Sequence, residues 1–184
     1  MTKRALDRIF VHEFSTLYDQ TELSVEEQAL FAEISPKLQV RGEYELEEFL
    51  AVCYWKSTRT RSLVQSNTRE TVSEVTRIAF NCSESLRVQV LSLLKGVSTP
   101  TASALLTVWK PTSYTIIDVR VLSALHRLSH RLLSPESMTL VEKSYSKYVG
   151  LMRAISNDLE CDLRSLDKAL WTFDKTQPKP QSTD

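Results

Sequence analysis

The residues best placed to do chemistry form one short run and one carboxylate beyond it. The run is Leu94-Lys95-Gly96-Val97-Ser98-Thr99-Pro100-Thr101-Ala102, and Asp118 follows 22 positions after Gly96. A glycine-containing turn that opens a helix can aim backbone N–H groups at an anion, because the first N–H groups of a helix have no partner within it. Gly96, Val97, Ser98 and Thr99 would supply those groups, and Gly96 has no side chain to block a phosphate. Ala102, Ser103 and Ala104 are small enough to let two helices approach closely. Asp118 precedes an apolar repeat and suits a helix N-cap, where a carboxylate accepts orphan N–H groups and complements the dipole. Upstream, Tyr54-Trp55-Lys56 sets two aromatic rings beside an amine. Trp55 reads either as core or as a wall on which a flat ring stacks, with Lys56 contacting phosphate or base. Trp109 and Trp171 read as core. His126 and His130, four apart, could share a metal, but no third ligand accompanies them and a solvated basic face accounts for both. Cys53, Cys82 and Cys161 are scattered and form no CxxC, which argues against a disulfide framework, a zinc site or an iron–sulfur cluster. No metal and no cofactor is expected.

Helices must hold these groups, and helical spacing recurs along the chain. Leu6, Ile9, Phe10, Phe14 and Leu17 make one stripe. Ser24 and Glu27 form a capping box ahead of Leu30, Phe31 and Ile34, and Pro36 and Gly42 bracket the exit from that helix. Leu46, Phe49, Leu50 and Cys53 make a third stripe, leading into Tyr54. Asn67 and Glu70 form a second box before Val72, Val75, Ile78 and Ala79. Ser83 caps a helix carrying Leu86, Val90, Leu91 and Leu94. Thr99 suits an N-cap and Pro100 the first helical position, with the helix reaching about Trp109 and Pro111 stopping it. Tyr114, Ile116 and Ile117 read as extended and buried, with Asp118 capping the helix of Val121, Leu122, Leu125 and Leu128. A long helix is expected after Pro135, through Tyr145, Tyr148 and Met152, and Asp162 caps a last one through Trp171. Residues 175–184, polar with two prolines, are expected to be a disordered tail. The expectation is a compact all-α domain of about ten helices over residues 1–174. Three glycines and six prolines are too few turn formers for a many-stranded β fold.

Charge narrows the function classes only a little. The chain has 23 basic and 23 acidic side chains, so its net charge exerts no general pull on a polyanion. Its distribution is uneven. Eight Glu face only Lys37 and Arg41 between positions 22 and 48, bases lead between 56 and 77, and 119–133 holds Arg120, Arg127 and Arg131 with no acid. That is either a bipolar surface or a set of solvated helix faces. Arg120 would bind phosphate or pair with an acid. No apolar stretch approaches 18 residues and no apolar signal core follows Met1, so a cytoplasmic protein is expected, without a membrane span.

Residues 91–128, about a fifth of the chain, resemble the core of the helix-hairpin-helix base-excision DNA glycosylases. In that superfamily a hairpin of the form L-P-G-V-G-x-K-T-A precedes an aspartate in a D-T-H-V-like motif. Here the hairpin is the run from Leu94 to Ala102, and the second motif is Asp118-Val119-Arg120-Val121. The resemblance implies an all-helical fold with the helix-hairpin-helix at about 86–109. It also implies DNA as partner, and an aspartate that both caps its helix and faces the sugar of a flipped nucleotide. Two departures stand out: the hairpin's second glycine is Ser98, and the lysine of lyase-competent members is Pro100, which offers no amine. The segments Tyr54-Trp55-Lys56-Ser57 and Arg164-Ser165-Leu166-Asp167-Lys168-Ala169-Leu170-Trp171 further resemble a divergent bacterial branch.

The resulting expectation is a DNA-binding protein, with a monofunctional DNA glycosylase as its sharpest form. Asp118 is the candidate catalyst. Gly96, Val97, Ser98, Thr99 and Arg120 are candidate backbone contacts, and Tyr54, Trp55 and Lys56 a candidate base pocket. The alternatives are a non-catalytic DNA-binding module and a helical protein–protein adaptor. The sequence leaves the oligomeric state open.

Overall fold

In the computed structural model, which describes residues 4–128 and 144–178, the glycine-poor sequence folds into helices joined by short turns. Among the described residues there are ten α-helices, one 3₁₀ turn and no strand. The first is α1 (Arg8–Asp19), opened by the Asp7 carboxylate, which accepts from Phe10 N at 2.8 Å. Its Phe10 and Phe14 pack edge-on and tilted against each other and Phe173, with ring centroids 4.8–5.4 Å apart. That aromatic contact lays α1 along the last helix, α10 (Leu163–Thr176), which Asp162 caps as its sequence foretells.

Helix α2 (Glu22–Arg41) departs from expectation at its start, while its end falls between Pro36 and Gly42 as expected. It starts after Thr21, one turn earlier than a cap at Ser24 would allow, so Ser24 and Glu27 are interior residues rather than a capping box. Ser24 instead donates to Asp19 at 3.1 Å, and Glu27 turns inward to a stronger partner, Arg164. Pro36 does not end the helix. An interior proline costs about 3 kcal/mol, and the burial of Ile34, Ser35 and Leu38 on its flanks offsets it. The helix stops at Gly42, whose φ of 77° takes the left-handed cap and whose N–H reaches Leu38 O at 2.8 Å.

The middle of the chain positions the site. Helix α3 (Leu46–Lys56) carries the Tyr54-Trp55-Lys56 run at its end. Helix α4 (Arg61–Gln65) leads to α5 (Arg69–Asn81), capped by Thr68 and not by Asn67. Asn67 has a longer-range task. Its amide donates to Val64 O at 2.9 Å and Lys95 O at 3.0 Å, and its carbonyl accepts from Lys95 N at 2.9 Å. A 3₁₀ turn (Glu84–Leu86), for which Ser83 offers no side-chain cap, runs into α6 (Arg87–Leu91). The clamped turn then enters α7 (Thr99–Trp109), whose N-cap is Ser98, so Thr99 and Pro100 sit one position later than expected. Every residue of α7 from Thr101 to Trp109 is buried, which makes it the central helix, with α2, α3 and α6 around it.

Tyr114, Ile116 and Ile117 are buried as expected and lie outside any helix, and among the described residues they pair with no strand. Side chains satisfy their backbone instead: Tyr145 OH donates to Thr115 O at 2.9 Å, Tyr148 OH to Ile116 O at 2.8 Å, and Ile117 N to Ser103 Oγ at 3.1 Å. Helix α8 (Val119–Leu128) follows, then α9 (Tyr145–Asp158). The helix expected after Pro135 lies outside the described residues in its first part. At the other end α10 runs through Thr176, so Lys175 and Thr176 belong to it rather than to a tail; residues 179–184 lie outside the described residues. No helix among the described residues is long and apolar enough to cross a membrane.

Candidate functional site

The end of α3, the start of α8 and one face of α10 enclose a half-open cavity of about 220 Å³. Helix α3 contributes Trp55 and Lys56, and the segment before α8 contributes Ile116 and Asp118. Helix α10 contributes Arg164, Asp167, Lys168 and Trp171, spaced three and four apart and so on one face. Tyr18 and Leu23 close the remaining side. Trp171 stands edge-on to Tyr18 with ring centroids 5.6 Å apart, and Trp55 edge-on to Phe31 at 5.9 Å, so both indoles are held by packing.

Asp118 is both a cap and a cavity residue. Its carbonyl accepts from Leu122 N at 3.0 Å and its Oδ1 from Arg120 N at 3.0 Å, which is the N-cap geometry. Its Oδ2 accepts from Lys56 Nζ at 2.6 Å, and the two side chains are only 23% and 14% exposed. Burial pushes the Asp118 carboxyl up, but Lys56 and the Arg120 N–H outweigh it and hold the group below the usual carboxylate range. It is ionised at neutral pH.

Beside this pair lies a buried ionic cluster. Arg164 donates through Nε to Glu27 Oε1 at 2.8 Å, through a second nitrogen to Glu27 Oε2, and through a third to Asp167. Tyr18 OH donates to Glu27 Oε2 at 2.7 Å, and Lys168 pairs with Asp19 at 2.8 Å and Glu27 at 3.6 Å. Burial would raise Glu27, but the bonds from Arg164 and Tyr18 hold it below its ordinary value. Burial wins at Asp167, pushing it up to about 6 against the pull of Arg164 and Lys56.

The turn expected to hold phosphate is tightly engaged within the protein. Gly96 adopts φ 77°, and a Cβ there would lie 2.9 Å from Leu63 Cβ and Val64 Cγ1, so its bare face is pressed on α4. Val97 is buried and its N–H donates to Leu94 O at 3.1 Å. Ser98 is exposed and Thr99 half-buried. Thr99 and Pro100 border a second cavity of about 380 Å³, with Val119 at the start of α8 and Asp118 in the wall it shares with the first.

Of the proposed pocket residues, Trp55 and Lys56 line the first cavity with Asp118, while Tyr54 does not: Arg61 sits over its ring at 4.5 Å. Arg120 pairs with Asp174 at 3.3 Å, as does Arg127 at 3.6 Å. Bases of α5 likewise pair with acids upstream, Arg69 with Glu47 at 2.6 Å and Arg77 with Glu43 at 3.8 Å, so part of the charge asymmetry is satisfied internally. His130 lies outside the described residues, and among those described no group of three His, Cys, Asp or Glu could hold a metal ion. The three cysteines are free thiols. Trp171, read as core, borders the cavity, and the reading of single residues missed Arg164, Asp167 and Lys168 beside it. The available signal was three charges and a tryptophan on one stripe of an amphipathic helix. No protein-family model matches the chain, and no curated protein or solved structure matches it either.

Proposed function

We propose that the chain is a DNA-binding protein of the helix-hairpin-helix glycosylase type, in which a base turned out of the duplex enters the cavity between Trp55 and Trp171. The observation that carries this reading is the placement of Asp118, Lys56, Trp55 and Trp171 around one cavity, although they come from three distant parts of the sequence. Its volume is below the roughly 300–1,000 Å³ of drug-sized pockets, which suits a single flat ring system. A base must leave the stack before its glycosidic bond can be reached. The sugar would then lie at the wall shared with the second cavity, against Asp118. Cleavage of the bond develops positive charge on the sugar, and an ionised carboxylate held by two partners stabilises that charge and can orient a water.

Binding should be tolerant of sequence and weaken steeply with salt, since phosphate contacts release counterions. Base release from a panel of modified duplexes tests the chemistry: Asp118→Asn should lower the rate by about two to three orders of magnitude while duplex affinity holds. Absence of binding at low salt to undamaged, lesion-bearing and single-stranded DNA alike overturns the reading. The second reading, a module or adaptor without catalysis, draws on the covered face of Gly96 and the pairing of Arg120 and Arg127 with Asp174. Binding without base release from any substrate would select the module.

A further inference from the structure

We infer that the surface around α4, carrying Arg59, Arg61 and Lys95, binds the phosphate backbone of DNA in place of the hairpin turn that α4 covers. The inference rests on the DNA reading above and names contacts which that reading leaves open, since Gly96 is pressed on α4 and Arg120 is paired with Asp174. Two long stretches of the chain hold no acid, one between Glu48 and Glu70 and one between Glu84 and Asp118. The fold joins them. Gly96 rests on Leu63 and Val64 of α4, and the Asn67 amide holds the N–H and the carbonyl of Lys95 at 2.9 and 3.0 Å. Lys95 is thereby fixed beside a helix that has no acid of its own.

Several cations of the two stretches are already engaged. Lys56 pairs with Asp118 and Arg69 with Glu47, while Arg87 and Lys110 lie over the Trp109 ring. Arg59, Arg61 and Lys95 are exposed, and none forms an ion pair with a described residue. The Arg61 guanidinium sits over the Tyr54 ring at 4.5 Å, which steadies its plane and leaves the N–H groups on its edge for an oxygen anion. None of the three lines either cavity. They are spread over a loop, a helix and a turn, so they suit a partner whose negative charges repeat along its length rather than one small anion. Exposed Ser62 and Ser98 add neutral donors of the kind that accompany phosphate contacts. The surface also adjoins the first cavity. Arg59 follows Lys56, in the cavity wall, by three residues, a span of at most about 11 Å. A strand whose turned-out nucleotide enters between Trp55 and Trp171 can therefore continue over α4.

The test titrates the full chain with a labelled undamaged duplex at several salt concentrations, which requires no knowledge of the base excised. In a variant carrying Arg59→Gln, Arg61→Gln and Lys95→Gln, the slope of log affinity against log salt should become shallower by about one for each charge removed. Affinity at about 0.1 M salt should fall at least about tenfold. The three single variants, measured beside it, should each lose about one unit of slope. Thermal melting should stay close to the wild-type value, since all three side chains are exposed. A control variant removes the same charge from Arg8, Lys37 and Arg77, exposed cations paired with Glu160, Glu33 and Glu43, and should keep the wild-type slope. A wild-type slope in the first variant, or an equal loss in the control, overturns the inference and leaves the DNA reading standing. A wild-type chain that binds neither undamaged, lesion-bearing nor single-stranded DNA at low salt overturns both.

Discussion

The turn around Gly96 and the cluster around Arg164 hold the two sides of the molecule by opposite means. At the turn, closeness does the holding: a glycine in a left-handed conformation rests on α4, and the neutral amide of Asn67 clamps Lys95 from both sides. At the cluster, charge does it: Glu27, Arg164, Asp167 and Lys168 are almost withdrawn from water and satisfy one another. A region held by closeness tolerates no added atom and is indifferent to pH. A region held by buried charge tolerates small changes of shape and answers to every lost charge. The cavity lies against the second region, so its polarity is set by charges fixed before any ligand arrives.

The largest effect should come from breaking the charged side. Glu27→Ala leaves Arg164 buried with Asp167 alone, and removing one partner of a buried pair costs about 3–5 kcal/mol. Chemical denaturation should show it as a lower midpoint with an unchanged slope. Gly96→Ala should come next. It adds a Cβ 2.9 Å from two side chains on a left-handed backbone, for which strain of about 1–2 kcal/mol and overpacking of about 1–3 kcal/mol combine. The two losses should differ in kind. That of Gly96→Ala should be the same at every pH. That of Glu27→Ala should shrink in acid, because a depressed carboxylate contributes stability present above its unfolded value and lost as pH falls through its folded one. Parallel pH dependence in the two variants would erase the distinction.

Asp167 sharpens the comparison within the cluster. Its folded value, about 6, lies above the ordinary carboxylate. Its contribution is therefore full below the unfolded value and is lost as pH rises through about 6, opposite in sign to that of Glu27. Asp167→Asn should change stability at neutral pH by about 1 kcal/mol or less, and should remove the decline between about pH 4 and 6. A loss as large as that of Glu27→Ala would show that Arg164 depends on both carboxylates equally.

Much of the frame could be read from the chain because it follows from short-range rules. Apolar stripes, the stop after Trp109, the buried Ile116 and Ile117, and the caps at Asp118 and Asp162 all depend on residues within a few positions of each other. The failures share one cause. Ser24 with Glu27 and Asn67 with Glu70 have capping-box spacing, but Glu27 and Asn67 found partners far away, 137 positions off at Arg164 and 28 at Lys95. The α10 face of the cavity was hidden for the same reason, since nothing near Asp167 in sequence shows that α3 and α8 meet it. The glycine was read correctly as a special turn, but not that its open side belongs to α4.

The smallest effect on stability should come from the residue on which the chemistry is proposed to turn. Asp118→Asn keeps an oxygen for the Arg120 N–H and remains a good cap. It does remove the charge opposite Lys56, so the pair makes Asp118 more than a cap. The ammonium, however, borders an open cavity and can draw on water, unlike Arg164 in its enclosed cluster. The expected cost is about 1 kcal/mol at neutral pH. The Asp118 carboxyl is held below its ordinary range, so the wild-type advantage is present above about pH 4 and vanishes as pH falls further. The melting curves of the two proteins should therefore converge in acid. A cost above about 3 kcal/mol would place the Lys56–Asp118 pair with the buried cluster, as a strut of the fold. A small cost joined to a large loss of base release would separate structure from chemistry at a single atom pair.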